Sequence, residues 1–257
     1  MSLLDIKGLK VSAGGHEILK GIDFSIEEGR TTVIFGPNGS GKSTLMGAIL
    51  GLPGITVTSG TIVFKGRDIT DIPVHERARM GIGLGFQHPP AVKGVRLSTL
   101  LDNIKDNDNF DLHVYSEMLN MDQYLDRDIN LGFSGGERKR SEILQLMVQR
   151  PDLLLLDEPE SGVDVENISI ISKALSLILE KDKPLRKRRR SAIIITHTGY
   201  ILDYIRADTA CVIVGGYILG CGSPSEILAE IREKGYSQCM ECYKDMVRGD
   251  TGAEQET

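Results

Sequence analysis

One segment near the N-terminus restricts this chain to a small group of architectures. Residues 36–43 read "GPNGSGKS" and match the pattern G-x-x-x-x-G-K-[ST] in full. The apolar run 31–35 before them predicts a buried strand, and "KSTLMGAILG" after them predicts a helix that ends at Gly51. A glycine-rich loop between a strand and a helix points its backbone N–H groups at phosphate oxygens. The sequence therefore predicts an α/β fold with a phosphate-binding loop.

The loop also supplies the side chains that a nucleotide requires. Lys42 brings a positive charge to the outer phosphates, and Ser43 offers a hydroxyl to Mg²⁺. The predicted nucleotide-binding residues are Gly36, Pro37, Asn38, Gly39, Ser40, Gly41, Lys42, Ser43 and Thr44.

A pair of acids behind a second apolar strand completes the chemistry. The segment 153–160 reads "LLLLDEPE", which predicts a buried strand with Asp157 at its end. Asp157 is predicted to hold Mg²⁺, and Glu158 to polarise a water for attack on the terminal phosphate. Either acid alone could be a helix cap, but the upstream loop favours the catalytic interpretation.

Composition sets limits on the class of protein. The 257 residues carry a net charge of -6, which argues against general nucleic-acid binding. No apolar run approaches the roughly 18 residues of a membrane span, so we expect no direct membrane contact. The N-terminus lacks the apolar core of a signal peptide. The four cysteines lack the spacing of a secreted disulfide framework, which favours a reducing, cytoplasmic setting.

The order of elements predicts a single domain over residues 1–235. Antiparallel strands are expected in the first 30 residues, and short strands alternating with helices predict a mostly parallel sheet covered on both faces. Residues 88–131 are polar with helical periodicity and predict an inserted helical subdomain. Residues 236–257 are expected to form a tail with a C-x-x-C pair.

A second glycine pair behind a serine raises the question of a second phosphate site. Residues 131–144 read "LGFSGGERKRSEIL", with the serine at a predicted helix start. Together with the phosphate loop, "LLLLDEP", "SGVD" and "THT" in that order, this chain resembles the nucleotide-binding domain of ATP-binding cassette (ABC) proteins. The resemblance implies a P-loop NTPase fold of ABC type, with ATP and Mg²⁺ as ligands. It also implies a head-to-tail dimer in which the signature of one copy binds the ATP of the other; the residues concerned are Ser134, Gly135, Gly136 and Glu137.

The same resemblance assigns three further residues. Gln87 resembles the glutamine that senses Mg²⁺ and the attacking water. Asp164 resembles the acid that acts across the dimer, although a helix cap before "VENISII" is its structural alternative. His197 resembles the switch histidine that contacts the terminal phosphate, whereas a lone histidine after a strand is usually structural. One departure from the family is "VSAGGH" (11–16), which lacks the aromatic residue that stacks on adenine.

Within the ABC proteins, the chain is similar to the SufC-type ATPases of the SUF iron–sulfur cluster assembly system. That resemblance implies a soluble SufB-type scaffold, or a SufD-type one, as partner. The alternative is the ATPase subunit of a membrane importer. The segments that carry the resemblance are "GFQHPPAVKGV" (85–95), "FSGGERKR" (133–140), "ESGVD" (160–164), "THTGYILDYIRAD" (196–208) and "GGYILGCGSPSEILAEIREKGY" (215–236).

Two features have open interpretations. The run 181–190 carries seven positive charges, which fits either a solvated loop or an electrostatic patch for an acidic partner or nucleic acid. Cys239 and Cys242 form a C-x-x-C pair that supplies two metal ligands, whereas structural zinc usually has four. Cys211 and Cys221 lie in strand patterns and are predicted to be in the core.

Overall fold

The computed structural model describes residues 2–105 and 111–236. Within these residues the strands are β1 (Ser2–Ala13), β2 (His16–Glu27), β3 (Thr31–Phe35), β4 (Ile55–Phe64), β5 (Arg67–Asp68), β6 (Ile82–Gly85), β7 (Val92–Arg96), β8 (Asp128–Ile129), β9 (Leu153–Asp157), β10 (Ser191–Ile195), β11 (Thr209–Val214) and β12 (Tyr217–Gly222). The α-helices are α1 (Lys42–Leu50), α2 (Val74–Arg79), α3 (Leu97–Ile104), α4 (Leu112–Met118), α5 (Gly135–Gln149), α6 (Val165–Ile178) and α7 (Pro224–Lys234).

The core sheet has the order β12-β11-β3-β10-β9-β6. All neighbours in it are parallel except the edge pair β11–β12, which is antiparallel. Every residue of β3 and β10 is buried, as expected for strands covered on both faces. The predicted mostly parallel core is therefore confirmed.

The two faces of the core sheet pack against different layers because strand side chains alternate. Val33 and Phe35 of β3 lie in one apolar cluster with residues of α5 and α6. Ile34, between them, lies in a second cluster with α1 and the N-terminal strands. Strand β3, which precedes the phosphate loop, therefore packs against α5 and α6 on one face and against α1 and the N-terminal strands on the other.

The N-terminal strands form a separate sheet of order β2-β1-β4-β5, and its neighbouring strands are antiparallel. This confirms the antiparallel prediction for the first 30 residues. Residues 60–69, "GTIVFKGRDI", predict a single strand by their apolar pattern, and this prediction is wrong, because a turn at Lys65 and Gly66 divides the segment into the hairpin β4–β5. Both turn residues have positive φ, a conformation that ends a strand.

An insertion between β6 and α5 contains α3, α4 and a short helical turn at Asp122–Tyr124. It also contains the two-stranded ribbon β7–β8, which the helical prediction for 88–131 did not include. Leu97, Leu101 and Leu119 anchor the insertion in the cluster that packs on α5.

Three smaller expectations need correction. The sequence predicts a helix over about 165–181, whereas α6 ends at Ile178, before the basic run begins. Cys221 is exposed on the edge strand β12, so it is not a core residue. It forms a disulfide with Cys211, its direct neighbour in the β11–β12 register, whereas the cysteine spacing favoured a reducing setting, in which disulfides are rare.

The basic run is held by nearby acids. Lys181 and Arg188 both pair with Asp208, at 3.3 and 3.5 Å. Lys183 pairs with Glu180 at 2.7 Å. These contacts support the interpretation of 181–190 as a structural, solvated loop. Cys239 and Cys242 lie outside the described residues.

No helix in the described parts of the chain has the length and apolar character needed to cross a bilayer.

Candidate functional site

The parallel strands of the core sheet end at one edge, and the predicted motifs follow them there. The glycine-rich loop follows β3, and Gln87 lies two residues after β6. Asp157 ends β9, and His197 lies two residues after β10. Because parallel strands share the direction of their carboxyl ends, the topology gathers these groups in one place.

The loop after β3 is shaped by backbone that a side chain would obstruct. Gly39 and Gly41 have φ of 77° and 106°, which L-residues rarely adopt. A Cβ at Gly36 would lie 2.3 Å from the carbonyl oxygen of Ile213 and 2.7 Å from Ser40 Oγ. The loop is therefore a backbone cradle that leads into the N-terminus of α1.

Lys42 crosses this cradle. Its Nζ donates hydrogen bonds to the carbonyl oxygens of Gly36 at 2.8 Å and Pro37 at 2.9 Å. Burial lowers the pKa of Lys42, while the carboxylates of Glu158 and Asp157 oppose that shift. The ammonium group is thus directed at the loop interior, where phosphate oxygens would replace the two carbonyls.

Glu158 is the centre of the polar cluster. Gln87 Nε2 donates to its Oε2 at 2.7 Å, and His197 Nδ1 lies 3.0 Å from its Oε1. The residue is only 8% exposed, and its φ of 45° is in the left-handed region. Its N–H donates to the carbonyl oxygen of Ile195 at 3.0 Å. Such a conformation in a non-glycine residue costs on the order of 1 kcal/mol, and the neighbouring strand holds it.

Asp157 and Ser43 face each other beside this cluster. Burial raises the pKa of Asp157, and a hydrogen bond with the Ser43 side chain opposes the shift. A carboxylate and a hydroxyl in this arrangement are the oxygen ligands that Mg²⁺ prefers in nucleotide sites.

The second glycine pair lies at the start of α5. Ser134 is the N-cap, and its Oγ accepts from the N–H of Glu137 at 3.3 Å, while Glu137 Oε2 accepts from the N–H of Ser134 at 2.7 Å. This is a complete capping box. Tyr124 OH donates to the other oxygen of Glu137 at 2.6 Å and lowers the pKa of that carboxyl. The signature is therefore built by its own helix and the insertion, whereas Gln87, Glu158 and His197 form a separate group.

Asp164 caps the N-terminus of α6. Its Oδ1 accepts from the N–H of Asn167 and its Oδ2 from Asn167 Nδ2, both at 2.8 Å. The structural alternative for this residue is therefore observed. The side chain of Asn167 also packs on Gly136, where a Cβ would lie 2.7 Å from Nδ2.

Glu160 is a residue that the sequence analysis missed. Its carboxylate accepts hydrogen bonds from the hydroxyls of Thr196 and Thr198, on either side of His197. Burial raises its pKa, and these two bonds oppose the shift. The acid directly after Pro159 in "DEPE" was the available signal.

A buried pair on α5 was missed as well. Lys139 Nζ and Glu142 Oε2 lie 3.7 Å apart, and both side chains contact the backbone of Phe86, just before Gln87. Two charged residues among the apolar positions of a helix were the only sequence signal.

Comparisons with known proteins agree with this arrangement. Residues 19–161, more than half of the chain, match the ABC transporter family. A probable ATP-dependent transporter of Cyanophora paradoxa is 39% identical over 91% of this chain and 93% of that protein. An uncharacterised ABC transporter ATP-binding protein of Methanocaldococcus jannaschii is 36% identical over 96% of this chain and 98% of that protein. A solved ATP-binding cassette of an ABC transporter, in its ADP conformation, superposes with a TM-score of 0.73 at 25% identity, over 95% of this chain and 98% of that one.

Proposed function

The chain belongs to the ABC transporter family and is an ATP-hydrolysing cassette of it, and from that premise we propose that it powers iron–sulfur cluster assembly of the SUF type. The cassette fold predicted from the sequence is confirmed by the superposition. Cassettes of this family bind ATP, dimerise and act with transmembrane or other subunits. The proposal concerns which residues act on ATP and which subunit receives the work.

Glu158 is the general base in this proposal. Its two oxygens are held by Gln87 and His197, so the carboxylate is oriented before a water arrives. Taking a proton from the attacking water is worth about 10²–10⁴ in rate for a positioned base. The imidazole of His197 is 47% exposed, so it remains accessible to the terminal phosphate while it contacts Glu158.

The phosphates of ATP bind in the cradle after β3. The backbone at Gly36 has no room for a side chain, so the loop can keep the tight turn in which backbone N–H groups bind phosphate oxygens. Lys42 exchanges its two carbonyl partners for the outer phosphates. Mg²⁺, when bound, neutralises charge on the phosphate oxygens. Ser43 and Asp157 would hold it, together with the amide oxygen of Gln87.

The signature acts on the ATP of a second copy. The N–H groups of Gly135 and Gly136 begin a helix of 15 residues, and a helix N-terminus attracts anions. Ser134 and Glu137 already satisfy each other in the capping box, which fixes the direction of that terminus. ATP therefore joins two copies head to tail, and hydrolysis separates them.

A groove beside Gln87 is the site proposed for the partner subunit. It has a volume of about 260 Å³ and is lined by Phe86, Pro89, Pro90 and Val92 among others. Phe86 is 42% and Val92 39% exposed, so two large apolar side chains of the groove lining are accessible to a partner. A partner seated here touches the segment that carries Gln87, so its movement and the catalytic site are coupled.

The signature segment carries the SUF proposal. "FSGGERKR" has Phe133 where transporter cassettes typically have leucine and Glu137 where they have glutamine. Both differences have structural roles here, because Phe133 packs edge-to-face on Tyr124 at 4.8 Å and Tyr124 bonds to Glu137. We infer a soluble SufB-type scaffold, or its SufD-type counterpart, as the partner and the cytoplasm as the location.

Capture of the partner tests this proposal. Tagged Glu158→Gln chain with ATP is expected to retain a SufB-like soluble protein from an extract of its own cells, identified by mass spectrometry. Lys42→Ala chain under the same conditions is the control and is expected to retain none.

The second candidate is the ATPase subunit of a membrane importer. The relatives from Cyanophora paradoxa and Methanocaldococcus jannaschii favour it, since both are named as transporter proteins. Capture of a multi-span membrane protein by the Glu158→Gln chain would establish this function and contradict the SUF proposal.

A further inference from the structure

The buried pair on α5 is not used by the chemistry described above. Lys139 is 4% and Glu142 6% exposed, and their charged groups lie 3.7 Å apart. Lys139 and Glu142 lie on α5, two and five residues after Glu137, the last residue of the signature. Its hydrogen bonds go to the segment between β6 and Gln87, while the charge of Lys139 also acts on Asp157 at the end of β9.

Both members of the pair bond to the backbone of one residue. The N–H of Phe86 donates to Glu142 Oε1 at 2.7 Å, and Lys139 Nζ donates to the carbonyl oxygen of Phe86. The aromatic ring itself is substantially exposed. The pair therefore holds the peptide backbone of Phe86 and leaves its side chain to the groove.

Stability alone does not explain such a pair. Burying two charges has a desolvation cost, and apolar residues of similar volume are often equally stable in the same place. Burial lowers the pKa of Lys139 and raises that of Glu142, which shows that the cost is present here. Because Lys139 and Glu142 both bond to the backbone of Phe86 despite this desolvation cost, we infer that they hold the segment around Phe86 in place.

We propose that Lys139 and Glu142 are positioning residues that fix the backbone before Gln87, so that Gln87 reaches the carboxylate of Glu158. Because both lie on α5, they connect the signature, which acts on the ATP of the second copy, to the catalytic cluster of their own copy. This inference rests on the proposed roles of Gln87 and Glu158.

The kinetic test removes both charges at once. The double variant Lys139→Met/Glu142→Met is expected to lower kcat for ATP hydrolysis about tenfold while KM for ATP changes less than about twofold. KM is spared because the phosphate cradle is a separate segment. Glu142→Gln is the conservative variant; its amide oxygen still accepts from the N–H of Phe86, and we expect kcat close to the native value.

A matched control separates positioning from general loss of a buried pair. Lys181 and Asp208 form a similarly buried pair at 3.3 Å, with side chains 9% and 11% exposed, and contact the start of β3 rather than Phe86. Lys181→Met is expected to lower the melting temperature without a selective loss of kcat. An equal loss of kcat in Lys181→Met would overturn the positioning role.

A second readout serves if the double variant folds poorly. The chain contains no tryptophan, so Phe86→Trp introduces a single emitter at an exposed position. Adding Lys139→Met is expected to produce a fast component in its fluorescence anisotropy decay, and adding Lys181→Met is not. Unchanged decay in both would contradict the proposal.

Gln87→Ala distinguishes this inference from the function on which it rests. If Gln87→Ala hydrolyses ATP at the native rate, the assignment of the catalytic cluster is wrong. If Gln87→Ala is slow and the Lys139→Met/Glu142→Met chain is not, only the positioning role is wrong.

Discussion

At the scale of single residues, the site depends on carboxylates whose surroundings differ. Glu158 is held by two polar side chains, Asp157 faces a hydroxyl, and Glu160 holds the two threonines beside His197. Three acids within four positions therefore have three separate structural roles. Substitutions at Glu158 and Lys42 should separate ATP hydrolysis from ATP binding.

Glu158→Gln should stop hydrolysis without preventing ATP binding. The amide keeps the shape and can still bond to its neighbours, but it cannot accept the proton of the attacking water. We expect kcat to fall by about 100-fold or more. Isothermal calorimetry should show native affinity for ATP, and hydrolysis at the native rate would show that another group is the base.

Lys42→Ala should lose ATP binding instead. Its ammonium group is the cation directed into the phosphate cradle. Calorimetric titration of the variant with ATP is expected to show affinity reduced by at least about tenfold, on the scale of one charge-assisted hydrogen bond. Arg77→Lys, at a guanidinium that bonds to carbonyls at the end of α1, is a control that should affect stability and not affinity.

The stability of the protein should depend on the protonation of Glu142. Burial raises its pKa from the ordinary 4.5 to about 7, so the folded state binds the proton more tightly than the unfolded state. The stabilising effect of this proton is fully present below pH 4.5 and is lost as the pH rises through about 7. Relative to Glu142→Gln, the free energy of unfolding should fall by up to ~3 kcal/mol across that window. Denaturant titrations at several pH values measure it, and a difference that is constant with pH would contradict the burial of the acid.

At the scale of secondary-structure elements, most of the site could be predicted because its motifs follow strands. The loop after β3, the acids after β9 and the histidine after β10 meet since parallel strands end at one edge. Contacts between elements could not be predicted in the same way. Phe86 bonds to residues 53 and 56 positions away, and no local pattern specifies such a distance.

The backbone conformation of Glu158 and the register of the β11–β12 hairpin could not be predicted from the sequence either. The positive φ of Glu158 depends on its bond to β10 rather than on its residue type. The Cys211–Cys221 pairing depends on the register of the hairpin, although the Gly215–Gly216 turn midway between the cysteines was a visible signal. The Asp164 cap, by contrast, was stated as an alternative and is observed.

The contact between α5 and α6 gives a prediction at this scale. A Cβ at Gly136 would lie 2.7 Å from Asn167 Nδ2, so the Asn167 side chain must move away from its bond to the Asp164 cap. Gly136→Ala should destabilise the protein by about 1–3 kcal/mol, as overpacking typically does. Gly220→Ala is the control, because a Cβ there meets no atom within 4 Å. Equal melting temperatures for the two variants would show that the helix starts are not tightly packed.

At the scale of the whole molecule, the two phosphate-type sites belong to different groups of residues. The phosphate loop lies with Glu158 and His197 at the edge of the core sheet, while the signature is built by α5 and Tyr124 of the insertion. In the proposed head-to-tail dimer, the phosphate loop of each copy meets the signature of the other. The helix that carries the signature also bonds to the backbone of Phe86, which precedes Gln87 and lines the groove proposed for the partner.

Mixing two inactive chains tests this arrangement most directly. Lys42→Ala lacks a working phosphate loop but keeps its signature, whereas Ser134→Arg blocks its signature but keeps its phosphate loop. In a head-to-tail pair, one site combines the intact loop of the second chain with the intact signature of the first. ATP hydrolysis by the mixture should therefore exceed that of either chain alone, and a mixture that stays as inactive as its components would contradict a site shared between two copies.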